Sequence, residues 1–167
     1  MSDDIEDAMR RGDIAALDRT KAVLTDLATD PDMMVFAVEQ GAPETVEWMI
    51  AHGAPTRITV DDGFPLMYLA VDRATMPGLA ADDHAVLRML IKAGGDLAER
   101  GLNDWTPLHL AAAREDLEAC RILLDAGADR EARTRIDNYA TPEEEARKLG
   151  KITAANFIRD WTPDAPE

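Results

Sequence analysis

Apolar residues come in short runs with helical spacing, and three of these runs stop in the same way. Trp48-Met49-Ile50-Ala51-His52-Gly53-Ala54, Met89-Leu90-Ile91-Lys92-Ala93-Gly94-Gly95-Asp96 and Ile122-Leu123-Leu124-Asp125-Ala126-Gly127-Ala128-Asp129 share a glycine just after the run. Glycine there is the residue that turns left-handed at little cost and closes a helix. The shared glycines Gly53, Gly94 and Gly127 lie 41 and 33 residues apart. Start signals alternate with these stops. Thr106-Pro107 and Thr141-Pro142 put a hydroxyl at the cap and proline in the first turn. Asp32 is read as the equivalent cap one unit earlier. Phe64-Pro65 keeps the proline without a capping oxygen, which predicts a weaker helix start. The pattern is that of paired short helices repeating along the chain, each pair too small to bury its apolar face alone.

Trp105-Thr106-Pro107-Leu108-His109-Leu110-Ala111-Ala112, followed at the right distance by Gly127-Ala128-Asp129, closely resembles the ankyrin-repeat consensus. The resemblance implies an all-α solenoid of stacked helix-turn-helix units with short β-hairpin fingers projecting outward. Registering the rest of the chain on this unit gives a single domain over 1–161. Its repeats run about 2–29, 30–61, 62–102, 103–137 and 138–161, and 162–167 forms a flexible tail. Ile5, Ala8 and Met9 are expected inward on the first helix, and Met34, Phe36 and Ala37 on the second repeat. Glu143, Glu144 and Glu145 suit the positive start of a solvated helix.

Two places break the repeat. Between Pro65 and Gly94 lie 28 residues, against 19 between Pro107 and Gly127, so the third repeat carries nine extra residues within 72–83. Met76-Pro77-Gly78-Leu79 reads as a turn with apolar tips. An insertion on one face is either part of a binding face or a tolerated loop. Two further residues near Arg135-Ile136-Asp137-Asn138 should lengthen the last finger, which Arg130, Arg133 and Arg135 make locally basic.

Composition narrows the chemistry. The net charge is −15 over 167 residues, with 33 acidic and 18 basic side chains. Such a balance argues against binding nucleic acid or anionic lipid, which needs clustered Lys and Arg. It fits a basic protein partner, met faster through electrostatic steering, or serves solubility alone. Residues 1–63 carry net −9 and residues 64–167 net −6. One cysteine, Cys120, excludes an internal disulfide. No run reaches the roughly 18 apolar residues of a membrane span, and the acidic N-terminus does not read as a signal peptide, so a cytoplasmic monomer is expected.

No catalytic or cofactor pattern stands out. His52, His84 and His109 lack metal-ligand spacing, and Cys120 sits inward without a base. No phosphate-binding loop is present; Gly94-Gly95 ends a helix. The expectation is a non-enzymatic protein-binding module with neither cofactor nor metal. The ankyrin resemblance places contacts on finger tips and on the concave side of the first helices. Carried over, these are Asp62, Gly63, Asp104, Trp105, Glu115 and Asp116, with Arg135 and Tyr139 on the last finger. The insertion adds Arg73, Met76, Leu79, Asp82 and Asp83. Trp105 either anchors a partner or packs on the neighbouring finger. His109 is implied to hydrogen-bond between repeats. By analogy with stand-alone bacterial proteins of this type, the expected role is neutralising a toxin, as an inhibitor or immunity protein. A scaffold that recruits an enzyme and an acidic nucleic-acid mimic are the alternatives.

Overall fold

The computed structural model describes residues 3–19, 30–58, 64–73, 84–136 and 138–163. Among them are ten α-helices and one 3-10 turn, Leu102–Asp104, with no strand. The helices come as five pairs: α1 Asp3–Arg11 with α2 Ile14–Arg19; α3 Pro31–Gln40 with α4 Pro43–Ala51; α5 Leu66–Arg73 with α6 Ala85–Lys92; α7 Pro107–Arg114 with α8 Leu117–Asp125; α9 Pro142–Lys148 with α10 Ile152–Asp160. The first helices stack in one row, α1 on α3, α3 on α5, α5 on α7 and α7 on α9. Behind them α2 packs on α4, α4 on α6, and α8 on α10.

The caps explain where the helices begin. Thr106 and Thr141 each accept from the amide three residues on, with Pro107 and Pro142 in the first turn. Glu144 reaches back to the Thr141 amide at 2.9 Å and completes a capping box. In the second repeat the cap is Asp30, not Asp32: Asp30 Oδ1 accepts from the Asp32 amide at 2.9 Å, because Pro31 takes the first helical place. Gly53, Gly94 and Gly127 follow the helix ends with φ of 88, 86 and 93°, as their pattern requires. The third and fourth fingers close as short hairpins without strand ladders. Single cross-finger bonds close them, Gly101 N to Trp105 O at 2.9 Å and Thr134 N to Ala140 O at 3.0 Å, too few for a ladder.

One continuous core runs through the stack. Met34, Leu66, Met67, Leu87, Leu90, Leu108 and Leu123 are fully buried within it. Alanines 37, 111, 112, 119, 146, 154 and 155 are equally buried, and their small side chains let the helices approach closely. Each leucine so buried contributes about 1.5–3 kcal/mol. Phe36 is only half-buried, its open face covered by the Arg10 guanidinium 4.9 Å from the ring centre.

Buried polar side chains bolt neighbouring repeats together. Thr45 Oγ1 donates to Met9 O at 2.7 Å between the first and second repeats. Arg73 was expected at a partner surface, but it is 2% exposed. It lies in the last turn of α5 rather than in the inserted loop. It donates from Nη1 to Val38 O at 2.8 Å and from Nη2 to Gly41 O at 2.6 Å, satisfying carbonyls at the end of α3. His109 joins the fourth repeat to the fifth. Its Nδ1 accepts from the Thr106 amide, which leaves the proton on Nε2 to donate to Ala140 O at 3.1 Å. Burial pushes the His109 pKa down from 6.5, so the ring is held neutral.

His109→Leu should therefore cost about 1–3 kcal/mol in urea denaturation, since the buried Thr106 amide loses its acceptor and the Ala140 carbonyl keeps only the Thr134 amide of its two donors. In the native protein the same site makes stability fall as pH drops below about 6.5, where the unfolded chain takes up a proton that the folded ring resists. That pH dependence should shrink in the variant.

Candidate partner-binding surface

Among the described residues five large hydrophobic side chains stand exposed, and three of them occupy two adjacent finger tips. Leu102 tops the third finger; Ile136 and Tyr139 top the fourth, and the three are 55%, 49% and 60% exposed. Exposed apolar groups clustered in this way mark interaction sites more often than scattered ones do. The two tips are tied to each other. Asp104 is only 9% exposed at its side chain and accepts from the Arg135 amide at 2.6 Å and from the Arg135 guanidinium. Arg100 Nη1 donates to both Asp104 O and Arg133 O at 3.0 Å, crossing the same gap.

The tip backbone is strained. Asn103, Asp104 and Tyr139 have φ of 58, 59 and 53°, in the left-handed region that side chains other than glycine enter at a cost. Strain of this kind persists where surrounding contacts over-determine it, and it gathers at binding sites. Here the Asp104–Arg135 pair supplies the restraint. The charge-assisted bonds from Arg135 hold the Asp104 carboxyl down at about 2.

The expected contact residues divide into three groups. Asp104, Trp105, Arg135 and Tyr139 come together at the tips. Trp105 does not stand clear there: it is half-buried and packs against the core, its amide donating to Leu102 O at 3.1 Å. Glu115 and Asp116 lie apart, in the turn between α7 and α8. Glu115 sits at φ 58° and its carboxylate is 3.9 Å from Lys151 Nζ. Asp116 caps α8 through the Ala119 amide and meets His84 Nε2 at 2.8 Å. Asp62, Gly63, Met76, Leu79, Asp82 and Asp83 lie outside the described residues. Leu102 and Ile136 escaped the sequence reading because the finger pattern marks polar and glycine positions, while these are single apolar residues among turn formers.

Beside the tips a cleft of about 590 Å³ opens between the third and fourth fingers. Arg57, Asp96, Arg100, Asp129, Glu131 and Arg133 line it. Several are already engaged: Arg133 with Glu144 at 2.9 Å, Asp96 and Asp129 with the amides two residues on. Among the described residues no group of three or more His, Cys, Asp or Glu side chains is placed to hold a metal ion. No helix there is long and apolar enough to cross a membrane. Cys120 is fully buried and its thiol is pushed up to about 12, chiefly by burial.

A family description, ankyrin repeats (3 copies), matches residues 34–134. The chain belongs to the ankyrin-repeat family. Ankyrin repeats are protein-interaction modules. It is 36% identical over 108 residues to an ankyrin repeat-containing protein of Treponema pallidum (strain Nichols), covering 65% of this chain and 34% of that relative. It is 44% identical over 55 residues to protein phosphatase 1 regulatory subunit 12A of Mus musculus, 33% of this chain and 5% of that protein. It is 37% identical over 71 residues to protein phosphatase 1 regulatory subunit 27 of Mus musculus, 38% and 46% of the two chains. This ankyrin chain thus spans less than half the length of each of these relatives.

Asp104→Ala should strip exchange protection from the Arg135 amide while leaving the helices intact, as read by amide hydrogen exchange. In the native protein that protection should hold above the ordinary aspartate value of 3.8 and fade only as pH falls through about 2. Cys120 should resist thiol reagents at pH 8 in the folded protein and react once it is denatured.

Proposed function

We propose that this ankyrin chain is a non-catalytic recognition subunit that docks a protein against the joined tips of its third and fourth fingers. The observation that carries this reading is the apolar cluster of Leu102, Ile136 and Tyr139, fixed in place by Asp104 and Arg135. An interface draws most of its affinity from a few rigid, mainly aromatic or arginine anchors near its centre. Tyr139 and Arg135 supply such anchors on a restrained backbone. Net charge of −15 on the whole chain favours a partner whose contact patch is ringed by Lys and Arg.

Two consequences of docking are open to such a surface. The relatives that are phosphatase regulatory subunits favour recruitment or control of an enzyme. Neutralising a basic toxin by covering its active face uses the same surface and charge. In the first case the bound enzyme keeps its turnover with altered substrate choice; in the second turnover stops.

Affinity capture with the purified chain should recover one stoichiometric protein at physiological salt. Tyr139→Ala or Leu102→Asp should weaken its binding at least tenfold by calorimetry. Charge reversal at a single exposed acid should chiefly slow association and lose its effect at high salt. Capture undiminished by both tip substitutions would refute the tip surface.

A further inference from the structure

The back row of helices carries an apolar groove that the stack does not fill. It lies between α4 and α6, has a volume of about 310 Å³, and is lined by Glu47, Ile50, Ala51, Met89, Lys92 and Ala93. Helical spacing explains the lining. Glu47, Ile50 and Ala51 stand at i, i+3 and i+4 along α4; Met89, Lys92 and Ala93 stand at the same intervals along α6 and its cap. Each trio therefore shares one face of its helix. Ile50 and Met89 are half-buried with their inner sides against the core, while Glu47, Ala51 and Lys92 are exposed. Thr56 Oγ1 donates to Ala93 O at 3.3 Å, which fixes one wall. The two alanines leave room for another helix to come close.

The charges decide what fits. Further along this row the exposed ions pair with one another: Arg88 with Glu118, Glu118 with Arg121, and Arg121 with Asp125. Glu47 and Lys92 take part in no ion pair among the described residues, although they flank the same groove. The patch thus has an apolar centre, one free anion on α4 and one free cation on α6. A surface that meets its own copy across a two-fold axis must be self-complementary, residue i touching j while j touches i. This patch satisfies that condition. Turned about such an axis, Glu47 of each copy faces Lys92 of the other, and the apolar centres close on each other. A basic partner, which the net charge of −15 otherwise favours, would meet Lys92 here. A second chain of the same sequence approaches this neutral patch without local repulsion.

We propose that this groove is the interface of a two-fold symmetric dimer of the chain, built on α4 and α6 and registered by two reciprocal Glu47–Lys92 pairs. Its few lining residues fall well short of the roughly 20–30 a side of a standard interface, so the dimer is weak and forms at high protein concentration. The apolar centre supplies the attraction. The exposed pairs add little strength but penalise every wrong register, where like charges would meet. Leu102, Ile136 and Tyr139 take no part in the groove, so the dimer presents two finger-tip surfaces, whatever they bind. A partner that carries its epitope twice is then held by both at once.

Sedimentation equilibrium of the full chain at physiological salt, from about 10 μM to about 1 mM, tests this. The mass should rise toward that of two chains and no further. Over the same range the methyl resonances of Ile50 and Met89 should shift, while those of Leu102 and Ile136 stay in place. Ala51→Arg, at an exposed position, should keep the chain monomeric. Glu47→Lys sets cation against cation in both halves of the dimer, and Lys92→Glu sets anion against anion, so each alone should weaken the dimer roughly tenfold or more. Mixed in equal amounts, the two variants again oppose cation to anion at both places, and a one-to-one dimer should return. A native chain that stays monomeric to about 1 mM, growth past two chains, or a dimer whose Ile50 and Met89 methyls do not move would each overturn the proposal. So would a Glu47→Lys chain that dimerises undiminished, or a mixture no tighter than either variant alone. If the chain stays monomeric and an amphipathic helical peptide shifts those methyls instead, the groove belongs to a partner's helix and the dimer is refuted.

Discussion

Helix ends that meet between repeats must have their backbone groups satisfied away from water, and this constraint organises the whole stack. Short helices have proportionally many ends, and ends leave amides and carbonyls without partners. Stacking buries those ends along with the apolar faces, where each unpaired group would cost about as much as a buried leucine returns. The chain answers at three of the four junctions with a side chain from the neighbour: Thr45 to Met9 O, Arg73 to Val38 O and Gly41 O, His109 to Ala140 O. The row of alanines can bring the helices close only because these groups are served first.

The same economy explains the fingers. With one backbone-to-backbone bond across each, the third and fourth fingers cannot hold themselves as ribbons. The fingers stand because they rest on the following helix pair and on each other. Thr56 and Arg57 reach across to Ala93 O and Gly94 O, Arg100 to Arg133 O, and Asp104 to Arg135. The ordering that a recognition surface needs is therefore supplied by the stack, not by the fingers' own strands. Binding a partner need not then meet the full entropic cost of ordering two loops.

Much of this was legible in the sequence, for definite reasons. Thr-Pro and Gly punctuation fixed the helix pairs of the last two repeats, because capping chemistry is local and needs particular residues at particular places. His109 in its motif foretold its contact. Where the chain departs from the motif, local rules lost their hold. Asp30 and Asp32 both flank Pro31 within the reach of a cap, and only the backbone path decides for Asp30. Arg73 reads as a surface cation next to an insertion, yet it is the last residue of α5 and is buried against the end of α3. Leu102 and Ile136 carry no periodicity at all, being single residues in turns. Their meeting depends on the Asp104–Arg135 pair, which joins positions 31 residues apart.

Because three of the four junctions are bolted by three different residues, the repeats are not interchangeable beads. Thr45 answers Met9, Arg73 answers the end of α3, and His109 answers Ala140; none of these donors fits the socket of another. Duplicating, deleting or reordering one unit would set an arginine against a helix end shaped for a histidine, or leave a carbonyl with no donor. The chain can thus diverge freely along its solvent faces while its length and the order of its units stay locked.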